Sequence, residues 1–264
     1  MGLIKDLFVN RSLIFSLAKN DFKTKYAGSV FGIFWAFVQP VITIFVYWFV
    51  FSVGMKQTGG TEVPFVLYLI AGIIPWFFFS DGFSGGANSL LSYSYLVKKV
   101  VFNVNIIPVV KIVSAIFVHI FFVVFTLVLA VCYGYYPSLY WIQILYYSLC
   151  CFVFILGLSY IFGACVVFFR DMAQIINIIL QIGIWVVPIM WNVAMIADHP
   201  TIGMILKLNP IYYIVFGYRQ AIYERTWFWE NGLYTIYFWC VNLLILFIGV
   251  KVFKRLKPHF SDVL

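Results

Sequence analysis

Six long apolar stretches, at positions 30–53, 64–84, 110–133, 141–168, 175–194 and 233–250, divide this chain. Each is close to the ~20 residues that a helix needs to cross a hydrocarbon core. Ahead of the first, Leu3, Ile4, Leu7, Phe8, Ile14, Phe15, Ala18 and Phe22 recur at helical spacing among Lys5, Asp6, Asn10, Lys19 and Asn20. That alternation predicts an amphipathic helix lying along the membrane surface; a merely basic topology signal is the plainer alternative. Arg11 interrupts its apolar residues and no small-residue cleavage site follows, so it does not read as a cleaved leader. Between the last two stretches, the apolar runs 202–208 and 211–218 are broken by Asn209-Pro210 and are too short to span. They predict two short re-entrant helices on the external side, with Tyr212, Tyr213, Tyr223, Trp227 and Trp229 at headgroup level. A seventh span there would have to bury Arg219, Glu224 and Arg225. The expected fold is all-α: a polytopic membrane protein with six transmembrane helices, an N-terminal amphipathic interfacial helix, and short re-entrant helices before the last span.

Composition and charge sharpen this. Hydrophobic residues make up 64% of the 264 and charged ones 10%, against ~25% charged in a soluble domain. Lys5, Arg11, Lys19, Lys23 and Lys25 precede the first span, Lys98, Lys99 and Lys111 fall in the second connection, Arg170 in the fourth, and Lys251, Lys254, Arg255 and Lys257 at the end. These thirteen of seventeen basic residues share one side, so the positive-inside pattern places both termini in the cytoplasm. The net charge of +8 is thereby explained without a nucleic-acid partner. The five cysteines sit in or beside the spans without zinc-site or disulfide spacing, and read as packing residues.

Two spans carry polar stripes. Gly28, Gly32, Ala36, Gln39, Thr43 and Tyr47 are spaced to share one face of the first, and Gln174, Asn177, Gln181, Trp185 and Pro188 one face of the fifth. Amides facing lipid would be left unpaired, so these faces should meet protein or a wet cavity. They fit the wall of a path for a hydroxyl-rich cargo, with Trp35 and Trp185 as rings for sugar C–H faces; they equally fit helix–helix packing. Among ionisable groups within spans, Asp81 lies beside Gly82, Gly85 and Gly86, where a kink is expected, and His119 about two turns into the third span. Neither has the partners of a proton relay, and buried, hydrogen-bonded structural roles suit both. Residues 93–108 form the longest cytoplasmic connection; Leu96, Val100 and Val101 with Lys98 and Lys99 predict a short amphipathic helix for lipid or a cytosolic partner. Arg170-Asp171 closes the other cytoplasmic turn. No Gly-x4-Gly-Lys-Ser/Thr phosphate loop occurs, and no catalytic constellation or metal-ligand cluster stands out. A permease half that borrows its motor fits best.

The entry segment DFKTKYAGSVFGIFWAFVQP (21–40), AGIIPWFFF (71–79), LVKKVVF (96–102), FFRDMAQI (168–175), Asn209-Pro210 with Tyr218-Arg219, and the ending FKRLKPHFSDVL together resemble the ABC-2 type permeases that export bacterial surface polysaccharides: O-antigen, capsule and teichoic acid. The likeness covers nearly the whole chain in order. One departure is Asn103-Val104-Asn105, where the family usually has a Pro and often a charged pair. The resemblance implies an N-terminal interface segment at 1–29, an ABC transmembrane type-2 domain at 30–257 and a cytoplasmic tail at 258–264. It implies two copies of the chain, a cytosolic ABC ATPase dimer that binds the ATP, an undecaprenyl-linked glycan as cargo, and residence in the bacterial cytoplasmic (inner) membrane. Trp35, Gln39, Thr43, Tyr47, Asn177, Gln181 and Trp185 would line the path. Leu96, Lys98, Lys99, Phe102, Arg170 and Asp171 would couple to the ATPase, and Lys19, Lys23 and Lys25 would meet the lipid pyrophosphate at the entrance. No catalytic residue, metal or cofactor of its own is expected. Two other readings stand beside this one: an ABC-2 exporter of a small hydrophobic molecule, which the amide stripes disfavour, and a membrane glycosyl- or acyltransferase. The latter would draw on Glu62, Asp198, His199, Glu224 and Glu230, which have no recognisable spacing.

Overall fold

The computed structural model describes residues 3–56, 63–99 and 102–264, and of Leu3 and Ile4 the backbone alone. Among the described residues every regular element is helical. In chain order these are α1 (Leu3–Val9), α2 (Arg11–Lys25), α3 (Trp35–Trp48), α4 (Phe65–Ala87), α5 (Ser89–Ser92), α6 (Ser94–Val97), α7 (Ile107–Cys132), α8 (Gln143–Phe168), α9 (Met172–Val186), α10 (Pro200–Lys207), α11 (Pro210–Arg219), α12 (Gly232–Leu256) and α13 (Phe260–Val263). A 3-10 turn over Gly32–Phe34 opens α3 and a π-turn over Phe49–Gly54 closes it.

Five of these helical stretches are long and apolar enough to cross a membrane, and they match the first, second, third, fourth and sixth predicted spans. The fifth differs. α9 has 15 residues, about 22 Å at the ~1.5 Å rise of an α-helix, short of the ~30 Å hydrocarbon core. It stops because Val187 precedes Pro188, whose ring drives the preceding residue out of the helical region (φ −73°, ψ 132°). Pro188 therefore lies beyond the stripe it was expected to complete. The freed backbone is satisfied by protein: Tyr68 OH donates to Trp191 O (2.8 Å) and Pro188 O (3.4 Å), and Arg219 Nη2 donates to Ile189 O (3.0 Å). Irregular backbone at membrane depth is tolerated only in such protein surroundings.

α4 is the centre of the bundle, buried along most of its length against α7, α8 and α11. Hydrocarbon gives helices no hydrophobic reason to associate, so close contact through small residues decides the packing. Gly82, Gly85 and Gly86 are an example: α4 hydrogen-bonding runs through them, and Gly86 instead lets the Ser159 side chain of α8 approach. α12 crosses α8 where Gly249 meets Gly157; a β-carbon on Gly249 would lie 2.5 Å from the Gly157 carbonyl oxygen. Cys150 and Cys151 are buried in this core, whereas Cys132 and Cys240 are exposed on helix surfaces, a correction to their uniform reading as packing residues.

The N-terminal helices do more than lie on a surface. α2 packs on α7, burying Ile14 and Ala18 and setting Phe15 and Phe22 against Phe117 with ring centroids 5.9 and 5.7 Å away. Two acids are buried with them. Asp21 Oδ1 accepts from Lys111 Nζ (2.7 Å) and Tyr93 OH (2.8 Å), and Asp6 Oδ2 accepts from Asn105 Nδ2 (2.8 Å). The apolar residues Phe8, Val9, Leu13 and Phe15 remain exposed, the face available to lipid. At the other terminus Phe260 packs into the core against Phe253 and Phe168, so the tail is docked.

The connection after α4 is two single-turn helices, α5 and α6, and a 3-10 turn at Val104–Ile106, rather than one amphipathic helix; Val100 and Val101 lie outside the described residues. The re-entrant pair forms as α10 and α11. Its tyrosines are not surface anchors, however: Tyr212 and Tyr213 are buried, and Tyr213 OH shares hydrogen bonds with Tyr146 OH (3.1 Å) and Thr235 Oγ1 (3.0 Å). Arg219 is buried as well, against the expectation that this segment keeps its charges out of the interior.

Candidate functional site

The expected path residues fall into two groups. Gly28 and Gly32 have positive φ (93° and 51°) and turn the chain from α2 into α3, so the first stripe starts at Ala36. Trp35, Gln39 and Thr43 line a cavity of about 390 Å³ between α2, α3, α4 and α7, together with Lys25, Asp81 and His119. One turn further along α3, Tyr47 meets Trp185 of α9 with ring centroids 6.2 Å apart. Asn177 and Gln181 lie outside that cavity, exposed on the α9 face that also carries Gln174 and Trp185. Gln39 is exposed too. The structure thus brings Trp35, Gln39 and Thr43 together, joins Tyr47 to Trp185, and leaves the α9 amides on the surface of the single chain. Apolar residues surround them on both helices: Val41, Ile42 and Phe45 on α3, and Ile178, Ile179 and Ile182 on α9, are all exposed.

The cavity mouth is charged. Lys25 Nζ lies 2.5 Å from Asp81 Oδ1, with both side chains about two-fifths exposed (43% and 42%). Asp81 is therefore an ion-pair partner at the edge rather than a buried structural acid. Burial acts to lower the Lys25 pKa, but the charge of Asp81 and their hydrogen bond outweigh it and hold the ammonium above its ordinary value. Lys19 and Lys23 are exposed on α2 without such a partner among the ion pairs of the described residues. His119 is buried and hydrogen-bonded as expected: Nε2 lies 3.0 Å from Tyr218 OH and 3.1 Å from Ser148 Oγ, and its ring stacks on Phe78 at 4.4 Å.

At the same end of the bundle as both termini are the residues expected to meet an ATPase. Lys98 and Lys99 are exposed after α6, Leu96 and Phe102 pack partly against the core, and Arg170 and Asp171 are exposed in the turn between α8 and α9. Sequence reasoning missed what joins this segment to α2. Asp21 of α2 holds both Lys111 at the start of α7 and Tyr93 between α5 and α6. Burial, then the hydrogen bond to Asp21, pushes the Tyr93 phenol well above its ordinary range. Asn105 is a second junction, donating to Asp6, accepting from Lys257 Nζ on its side chain (3.2 Å) and from Tyr160 OH on its carbonyl (2.7 Å). Asn103 Oδ1 caps this turn through the Asn105 amide (3.2 Å). The departure from the usual Pro and charged pair is thus built into the contacts of this segment. Two acids in an otherwise basic and apolar N-terminal segment were the signal for these pairs.

Residues 12–223 match the family model described as ABC-2 type transporter. The chain belongs to the ABC-2 type transporter family. Among curated relatives of this ABC-2 protein, the O-antigen export system permease protein RfbA of Myxococcus xanthus is 27% identical over 261 residues, covering 98% of each chain. The protein of the same name from Klebsiella pneumoniae is 24% identical over 266 residues, covering 100% of this chain and 97% of its own. The full-length match and the apolar helices make this a multi-pass membrane transport protein of that family.

Proposed function

We propose that this chain is the permease subunit of an ATP-driven exporter that carries a lipid-linked polysaccharide, with O-antigen as the cargo, across the bacterial cytoplasmic membrane. The observation that carries the reading is the placement of Gln39, Asn177 and Gln181. All three amides are exposed on helices whose surroundings are apolar. Facing acyl chains they would leave several polar groups unpaired, at a cost of several kcal/mol each. A second copy of the chain, with α3 and α9 of both copies enclosing a wet passage, removes that cost. Mixed rings and amides, Trp35 and Trp185 beside Gln39 and Gln181, suit sugars better than a uniformly apolar drug. The relatives' names point to the same cargo class.

Both termini face the cytoplasm. An undecaprenyl-linked glycan enters from the cytoplasmic leaflet past α2, where Lys19, Lys23 and Lys25 attract its pyrophosphate; Lys25 must exchange Asp81 for it. ATP is bound by a cytosolic ABC ATPase dimer, which docks on Leu96, Lys98, Lys99 and Phe102 and on Arg170-Asp171. Movement of that segment reaches the entrance helix directly, because Tyr93 and Lys111 grip the same oxygen of Asp21. The test is reconstitution. Vesicles holding this chain should translocate a lipid-linked glycan only with an ABC ATPase and ATP present. Transport by the chain alone, driven by an ion gradient, would overturn the reading.

A further inference from the structure

At the end of the bundle opposite the termini lies a second, larger cavity, about 1090 Å³, walled by the starts of α4 and α12, the stretch after α9, and α10 with α11 and its continuation. None of the expected path residues lines it. At that volume it lies just above the ~300–1,000 Å³ typical of small-molecule sites. Five tyrosines line it, and so do Lys207, Arg219 and Glu224.

Its polar groups are unusual. Arg219 is 3% exposed, stacks on the Tyr68 ring at 3.6 Å and spends Nη2 on the Ile189 carbonyl, yet its Nε has no hydrogen-bond partner in the protein. Thr226 Oγ1 and Tyr234 OH are also buried without one. All three residues line this cavity. Arg219 forms no ion pair among the described residues. Buried donors without partners are rare enough in folded proteins that each calls for an explanation. The wall itself is firmly held: Gln143 donates to Thr226 O (2.9 Å) and accepts from Phe228 N (2.7 Å), fixing the loop that presents Thr226.

We propose that this cavity is a second glycan-binding site, holding a few sugar units of the exported chain on the external side. The inference rests on the reading of the cargo as a glycan. Tyrosine rings offer faces for sugar C–H groups. Lys207, Arg219 and Asn231 on the same wall offer hydrogen-bond donors to ring hydroxyls, the arrangement that discriminates a hydroxylated ligand from one lacking the group. A site at the exit would hold segments already moved across and hinder their return.

The experiment is saturation-transfer NMR on the full-length permease in lipid nanodiscs, with maltotriose, mannotriose and trigalacturonate as probes and inorganic pyrophosphate as a further arm. At least one trisaccharide should bind, weakened tenfold or more by Arg219→Gln and several-fold by Lys207→Ala and by Asn231→Ala. Lys207 and Asn231 are exposed, so those last two variants should melt near the wild-type temperature, which separates lost binding from lost folding. The proposal is overturned if no trisaccharide binds, if binding is unchanged in the variants, or if only pyrophosphate is held, which would make this a site for an anionic headgroup. Export by the assembled transporter without trisaccharide binding would remove this site and leave the permease reading standing.

Discussion

Replacing Tyr93 by Phe removes one hydroxyl from the junction between α2 and the segment proposed to dock the ATPase. Asp21 keeps Lys111 at 2.7 Å and loses only the phenol at 2.8 Å. A hydrogen bond to a charged group contributes about 1.5–3 kcal/mol net. Tyr93 is partly exposed, which puts the loss at the lower end, about 1.5 kcal/mol, or roughly tenfold in the population of undocked α2. Lys111→Met is harsher. It leaves Asp21, with 8% of its side chain exposed, without a counter-charge. Breaking a buried pair costs about 3–5 kcal/mol, and Lys111 at 21% exposure again places it near the lower figure, so α2 should open more than about a hundredfold more often. Hydrogen exchange of the full-length permease in nanodiscs reads this directly. α2 amides should exchange about tenfold faster in Tyr93→Phe and about a hundredfold faster in Lys111→Met, with α4 amides unchanged. Combining Asp21→Asn with Tyr93→Phe should cost less than the sum of the two, since both act on one contact. Unchanged α2 protection in both single variants would refute the docking, and equal acceleration across α2 and α4 would refute its independence from the bundle.

Gly249→Val places a side chain against the Gly157 carbonyl of α8 and should destabilise the bundle by about 1–3 kcal/mol, seen as a lower melting temperature in detergent. Lys25→Ala should leave melting nearly unchanged, because a pair this exposed contributes about 0–1 kcal/mol. It should nonetheless reduce surface glycan several-fold on immunoblots of cells relying on this exporter, while Asp81→Asn, which frees Lys25, should not. Asn105→Ala removes the side-chain bonds to Asp6 and Lys257, a loss of roughly 2–4 kcal/mol, and should expose α1 to limited proteolysis before any transmembrane helix is cut.

Local patterns carried most of the fold. The five long spans, the re-entrant pair α10 and α11, and the N-terminal amphipathic helix each follow from apolar periodicity and from Pro at helix starts, which act within a few residues. The fifth span was overextended because 187–194 is as apolar as a helix, and hydropathy does not weigh the backbone restriction that Pro188 places on Val187. What stayed hidden is non-local. Asp21 finds Lys111 ninety positions away, and Asn105 joins Asp6 to Lys257 across the whole chain. Arg219 reads as a surface charge until Tyr68 and the Ile189 carbonyl are brought beside it. Of the expected path, the stripe on α3 was legible by spacing, and its partners Lys25 and His119 in the same cavity were visible only in the folded chain.

The central claim is that the amide faces of α3 and α9 line one wet passage between two copies of this chain. Single cysteines at Gln39, Thr43, Asn177 and Gln181, on a background freed of the five native ones, test it with a membrane-impermeant maleimide during ATP turnover of the assembled transporter. All four positions should be labelled at some stage of the cycle, and outward lipid-facing controls at Phe247 and Leu244 of α12 should stay inert. Four unreactive positions throughout turnover would contradict the account.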